Sequence, residues 1–305
     1  AELVSRIVSP KGLYSPRENT EKLRTREFDG VELWDSPEMN RYSEEQIEAA
    51  AASPDAFTIV GLGDSIMYGV ELDDEETYMS LLEDILERRS GREVYSINLA
   101  FPAYNTYQQS AVFREKGVAA RPDLVIIHFW RDDIWRFRVI DGVAYNVMFS
   151  SGGEPGILHT VPLPEKCNRR LIVKSRFYQL VSLGLMKLRA GDKMRAGAAH
   201  EVRTAFEEIE SAAAESGARV MVLVSPEMAH GGRVRGCRKY GQNRLLREWS
   251  EELGMQYVDL CELFEGLPSK DVALDNGHFN ARAHGRIARH LADLIQEQTA
   301  PSAGE

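Results

Sequence analysis

Five short apolar runs, separated by stretches of helical periodicity, constrain this chain more than any other feature. Residues 57–62, 94–99, 124–129, 219–224 and 255–260 read as strands, the first being an unbroken Phe-Thr-Ile-Val-Gly-Leu. Asp73 and Glu76 have capping-box spacing, after which Tyr78, Leu81, Leu82 and Ile85 fall on one helical face. Helices are also expected over 106–116, 202–216, 242–253 and 281–296, the last with Ile287, Leu291, Leu294 and Ile295 on one side. Strands that alternate with helices call for crossover connections and hence a parallel sheet. The expected fold class is therefore α/β, a three-layer α/β/α sandwich with helices on both faces of the sheet. Its ligand site belongs at the carboxyl ends of the strands.

Residues 1–54 are polar and weakly periodic, with turn-prone pieces around Pro10 and Pro16, and read as an N-terminal arm packed on the body. The main domain is expected over 55–298, interrupted by a lid-like insertion at about 136–195, with a flexible tail at 299–305. Within the insertion, 171–188 is apolar enough for an amphipathic helix. It is either an ordinary packed helix or a lid or membrane-facing surface.

Composition narrows the partners. A net charge of -10 disfavours capture of nucleic acid or an anionic membrane, since phosphate binding needs clustered Lys and Arg. No apolar stretch reaches the roughly 18 residues of a membrane span. Because the sequence starts at Ala1, the reading favours export or a removed N-terminal anchor over a cytoplasmic location, with any membrane association coming through that anchor. Cys167, Cys237 and Cys261 have no metal-ligand spacing; Cys261 lies in an apolar stretch and is expected to be buried, and Cys167 and Cys237 form either a disulfide or two free thiols.

Ser65 follows the first strand in Gly63-Asp64-Ser65, at a strand-to-helix turn. A serine hydroxyl becomes a nucleophile when a base takes its proton and a carboxylate steadies that base. Asp275 and His278, three residues apart before the last helix, can supply both from one turn. The plainer alternatives make Ser65 a helix cap, Asp275 a turn residue and His278 a bystander.

Four blocks in order give a more specific signal. Gly63-Asp64-Ser65-Ile66-Met67-Tyr68-Gly69 resembles the first block of the GDSL-like (SGNH) hydrolases, and Asp275-Asn276-Gly277-His278-Phe279-Asn280 resembles their last. Between them, Asn98 to Thr106 is similar to the second block and Phe129-Trp130-Arg131-Asp132-Asp133 to the third. The resemblance spans about 57–296 and implies the flavodoxin-like SGNH fold. It also implies a catalytic triad of Ser65, His278 and Asp275, and an oxyanion hole built from the positions of Ser65, Ala103 and Asp132.

Two of these positions depart from the family pattern. Ala103 replaces a glycine, which preserves the backbone N–H provided the local φ does not require glycine. Asp132 replaces an asparagine, and an ionised carboxylate cannot donate to an oxyanion. A protonated Asp132, Arg131 or Asn105 are alternative donors. Asp64, Asn105, Arg131 and Asp133 are candidate substrate-binding residues.

The resulting expectation is serine-dependent hydrolysis of a carboxylic ester of a small molecule or glycan through an acyl-enzyme, with esterase, lipase and O-acetylesterase types all open. The alternatives are an acyltransferase using the same triad, or an impaired glycan- or acyl-binding protein because of Asp132. No cofactor and no metal are expected. Gly61 and Gly63 fit a dinucleotide fingerprint poorly, since Ile66 stands where its third glycine should fall. His128 is expected near the site, and His284 as a structural counterpart of a common family position.

Overall fold

The computed structural model describes residues 24–130, 133, 136–140, 143–147, 163–164, 167–168, 170–171, 175–226, 232–234, 241–275 and 277–299. It divides into two compact units, one containing the described residues of 1–38 and 132–204, the other those of 39–131 and 205–305.

The first unit opens with strands β1 (Arg24–Phe28) and β2 (Val31–Asp35), paired antiparallel around Asp29-Gly30. Both turn residues have positive φ, +48° and +77°, which matches the twist of a two-residue hairpin. The alternation of β2 buries Val31 and Leu33, and Trp34 with them. A polar, weakly periodic arm does not predict this hairpin, although the Asp29-Gly30 pair between alternating segments signals one.

Residues 39–54, which the sequence reading assigned to the arm, lie in the second unit. Helix α1 (Glu44–Ala52) is capped by Ser43 and buries Ile47 and Ala50. Next come β3 (Phe57–Gly63), the one-turn helix α2 (Ser65–Tyr68) and helix α3 (Tyr78–Ser90). The expected box between Asp73 and Glu76 serves a separate turn ahead of α3, and Thr77 caps α3 itself, accepting from the Ser80 N–H. Strand β4 (Val94–Asn98), helix α4 (Thr106–Glu115) and strand β5 (Leu124–Phe129) follow.

Back in the first unit, β6 (Arg136–Ile140) and β7 (Val143–Val147) form an antiparallel pair. Helix α5 (Arg176–Ser216) is one continuous helix of 41 residues where the sequence predicts two. Gly191, which weakens the helical pattern between them, is tolerated among Ala, Met, Lys and Arg, all strong helix formers. From Ala205 onward α5 belongs to the second unit, where Phe206 meets Phe129 edge-on at 6.4 Å. Strand β8 (Arg219–Val224), helix α6 (Gly241–Glu252), strand β9 (Gln256–Asp259), the short α7 (Cys261–Phe264) and helix α8 (Ala281–Thr299) complete the chain.

The second unit carries a five-stranded parallel sheet in the order β4-β3-β5-β8-β9, the core of a three-layer α/β/α fold. The connections from β3 to β4 and from β4 past β3 to β5 run in opposite directions across the sheet. Right-handed crossovers therefore place α3 and α4 on opposite faces. Strand β5 is buried along its whole length, as a central strand covered on both sides must be. Helix α8 lays Ala283, Ile287, Ala288, Leu291, Ala292 and Ile295 into the core, and Arg89 of α3 bonds Asp293 of α8 at 2.8 Å.

Cys261 is buried, as expected, and disulfide-bonded, and Cys167 is an exposed free thiol. The Cys167–Cys237 bridge considered from sequence is therefore not formed; polarity of the flanking residues says nothing about which Cα atoms approach within bridging distance. Cys237 lies outside the described residues. No helix of the described residues is long and apolar enough to cross a membrane.

Candidate active site

The strand order reverses at β3, whose neighbours are β4 and β5. At such a switch point the chain leaves adjacent strands in opposite directions and opens a crevice at their carboxyl ends. Gly63 closes β3 there. A Cβ at this position would lie 2.7 Å from the Met67 Cβ, so only glycine lets α2 fold back this tightly. A Cβ at Gly61 would meet Met79 Cε at 2.7 Å and Met67 Sδ at 2.9 Å.

Asp64 caps α2, its Oδ1 accepting the Ile66 N–H at 2.8 Å. Ser65 is the first residue of α2, a position whose N–H has no acceptor within the helix and forms part of its positive end. The helix ends at Gly69, whose φ of +75° is the left-handed conformation that glycine adopts without strain.

A second turn is tied to the first. The Phe101 N–H donates to the Gly63 carbonyl at 3.2 Å, and the Tyr104 N–H to the Phe101 carbonyl at 3.1 Å. Pro102 and Ala103 are thus the central pair of a β-turn, with Ala103 at φ +71°. Proline followed by a residue of positive φ is the type II pattern. The condition under which alanine replaces glycine freely is therefore not met, and Ala103 holds a conformation that costs an L-residue roughly 1–2 kcal/mol. The buried Asn98 side chain holds this turn further, accepting the Ala100 N–H at 3.1 Å and donating to the Met67 carbonyl at 3.4 Å.

Asp275 and His278 come from the loop before α8. The N–H groups of Gly277 and His278 donate to Asp275 Oδ1 at 2.7 and 2.8 Å, while Oδ2 stands 2.7 Å from His278 Nδ1. His278 Nε2 in turn lies 2.9 Å from Ser65 Oγ. Partial burial works to raise the Asp275 carboxyl, but the Gly277 N–H, the His278 ring and the His278 N–H outweigh it and hold the pKa below the ordinary carboxylate value. An ionised Asp275 fixes the proton on Nδ1 and leaves Nε2 free to accept from the serine hydroxyl.

Behind these turns lies a buried polar cluster. Tyr78 Oη is 2.9 Å from His128 Nδ1, and His128 Nε2 is 2.7 Å from Ser225 Oγ. The Tyr78 N–H donates to His284 Nδ1 at 2.9 Å. Burial pushes both histidines down to about 3, with the neighbouring His284 adding to the effect on His128 and Arg41 to that on His284. Both rings are therefore neutral at ordinary pH. Tyr78 was legible only as an apolar face position, because nothing in a helical pattern distinguishes a tyrosine packed by its ring from one bonded through its hydroxyl.

Ser65, Asp275 and His278 are thus brought together. Asp64 and Asn105 are buried and each caps a helix, Asn105 Oδ1 accepting the Gln108 N–H at 2.9 Å at the start of α4. Asp133 is buried and belongs to the first unit. Arg131 and Asp132 lie outside the described residues. Among the described residues no group of three or more His, Cys, Asp or Glu side chains is arranged to hold a metal ion.

Residues 62–286 match the profile of the GDSL-like lipase/acylhydrolase family. No curated protein sequence matches the chain. Among solved structures, that of TesA aligns with a TM-score of 0.50 at 13% identity, covering 79% of this chain and 98% of that one. LAE5, an alpha/beta hydrolase enzyme from the metagenome of Lake Arreo, Spain, gives 0.49 at 17% identity, with 81% and 97% covered. The acetyl xylan esterase AlAXEase gives 0.48 at 13% identity, with 78% and 100% covered.

Proposed function

We propose, from the premise that this chain belongs to the GDSL-like lipase/acylhydrolase family and is an ester hydrolase, that it cleaves a carboxylic ester through an acyl-enzyme on Ser65. The observation that carries this reading is the unbroken relay Ser65 Oγ, His278 Nε2, His278 Nδ1, Asp275 Oδ2, with spacings of 2.9 and 2.7 Å across its two hydrogen bonds. The first spacing is within reach for proton transfer from the hydroxyl to Nε2, and the second lets Asp275 hold the Nδ1–H while remaining ionised.

His278 Nε2 takes the hydroxyl proton as Ser65 Oγ attacks the ester carbonyl, and Asp275 stabilises the imidazolium that forms. The negative charge on the carbonyl oxygen is met by backbone donors. The Ser65 N–H stands at the start of α2, and the Ala103 N–H in the turn tied to Gly63 is the second candidate. Collapse of the tetrahedral adduct breaks the bond to the alcohol, which leaves with the proton from His278. Water then enters, His278 accepts its proton, and the same two steps release the acid and regenerate Ser65. The substrate class we propose is a neutral small-molecule or glycan ester, in keeping with the chain's net charge of -10.

The test is hydrolysis of short-chain and acetylated-sugar esters by the full chain, beside Ser65→Ala and an active-serine phosphonate label. Turnover and labelling that both vanish in Ser65→Ala support the proposal. Turnover that survives Ser65→Ala, or the absence of both turnover and labelling in the wild type, overturns it.

A further inference from the structure

We infer that Arg41, which precedes the stretch matched by the family profile, is a positioning residue that holds the nucleophile turn and the adjoining Phe101–Tyr104 turn in register. The inference rests on Ser65 being the nucleophile. A helix of four residues such as α2 is too short to hold itself together, because the nucleating turn costs more than its few bonds return. Asp64 secures its first end. Its other end runs into the loop of Gly69 to Leu72, and that loop is fastened from outside.

Arg41 does the fastening. Its Nη2 donates to the Leu72 carbonyl at 2.7 Å and to the Gly69 carbonyl at 3.2 Å. The other terminal nitrogen pairs with the Asp74 carboxylate. The guanidinium plane also lies over the Tyr68 ring, 4.5 Å from its centroid, and Tyr68 meets Phe101 edge-on at 6.2 Å. The backbone of Arg41 bridges Asn98, the residue whose side chain bonds both Met67 and Ala100. One residue thus touches the last turn of α2, the loop behind it and, through Tyr68 and Asn98, the turn that presents the Ala103 N–H. Its side chain is 14% exposed, and a planar fork with several donors does this where an ammonium cannot.

The experiment compares the full-length wild type with Arg41→Met, Arg41→Lys and Arg41→Ala, the last with and without low millimolar guanidinium. Three quantities are read: kcat and KM on a short-chain ester, the rate of phosphonate labelling at Ser65, and hydrogen–deuterium exchange across the chain, resolved at the 64–72 peptide and the Phe101–Tyr104 turn. Arg41→Met is expected to lose kcat by on the order of 10- to 100-fold with KM little changed, since small misplacements of reacting groups cost that much. Labelling should slow in parallel, and exchange should rise in 64–72 and in the adjoining Phe101–Tyr104 turn but not elsewhere. Lysine should restore only part of the loss, and guanidinium should raise the activity of Arg41→Ala. The inference is overturned if Arg41→Met keeps kcat within about two-fold of the wild type, or if exchange rises throughout the chain and guanidinium restores nothing. If the wild type itself neither turns over nor labels, the assignment of Ser65 as nucleophile fails, whereas unchanged exchange in 64–72 of Arg41→Met refutes the clamp itself.

Discussion

Ser65 Oγ and His278 Nε2 stand 2.9 Å apart although 213 residues separate them in the chain. The first is carried by the turn that ends β3, the second by the loop that starts α8, and the packing of α8 on α3 brings them together. Neither residue has this relationship locally, so substitutions that disturb either turn should be felt at the other.

The carboxylate of Asp275 is the first place to look for this. Asp275→Asn keeps the shape but can present its amide N–H to Nδ1 and favour the wrong tautomer, so turnover should fall on the order of 10⁴-fold with KM little changed. The carboxyl pKa is lowered in the folded chain, so the stability it contributes is present above the unfolded value of about 4 and is lost as pH falls through the folded one. Chemical denaturation of wild type and Asp275→Asn should therefore differ at neutral pH and converge in acid.

Ala103 at φ +71° makes a prediction of the opposite sign. Ala103→Gly removes roughly 1–2 kcal/mol of left-handed strain. It loses about 0.4–1 kcal/mol to the freer unfolded chain. The variant should unfold at equal or higher denaturant concentration and retain its ester hydrolysis. Ala103→Val, β-branched and worse suited to positive φ, should unfold earlier.

Gly61 and Gly63 should differ in their tolerance of alanine. At Gly63 the new methyl meets the Met67 Cβ, which moves only with the backbone of α2, and a cost of about 1–3 kcal/mol with loss of Ser65 labelling is expected. At Gly61 it meets the far ends of Met67 and Met79, which can swing aside, so Gly61→Ala should be milder in both denaturation and labelling assays.

The buried histidines set an acid limit. His128 and His284 have folded values of about 3, against about 6.5 when unfolded. The unfolded chain then binds more protons between these values, and stability falls as pH drops through that window. His284→Asn offers Oδ1 as acceptor to the Tyr78 N–H and does not titrate. The denaturation midpoint of the variant should fall less than that of the wild type as pH is lowered from about 7, above the window, to about 5, inside it.

What the sequence made legible follows the physics of each feature. The three inner strands β3, β5 and β8 announce themselves because a parallel strand buried on both faces is a continuous apolar run, whereas the edge strands β4 and β9 mix apolar residues with Ser96, Asn98, Gln256 and Asp259 and are legible mainly by their place between helical stretches. Ser65, Asp275 and His278 stand out because their chemistry depends on side-chain type at turns. Ala103 was the harder case, since a backbone N–H can come from any residue and its left-handed φ is hinted at only by the preceding Pro102. The unity of α5 was hidden by Gly191, and the roles of Asp64 and Asn105 by the ambiguity of residues that can either cap a helix or contact a ligand. The disulfide at Cys261 was missed because pairing depends on distance, not on local polarity.

If Ser65 and His278 act as proposed, the 213 positions between their turns bear on how activity is acquired. A polypeptide emerging from the ribosome carries its nucleophile early, but no base to activate it until the loop ahead of the final helix has appeared and docked. A fragment cut anywhere between the two turns would likewise hold an inert serine. On the reading proposed above, hydrolytic activity is then a report that the whole sheet unit has assembled.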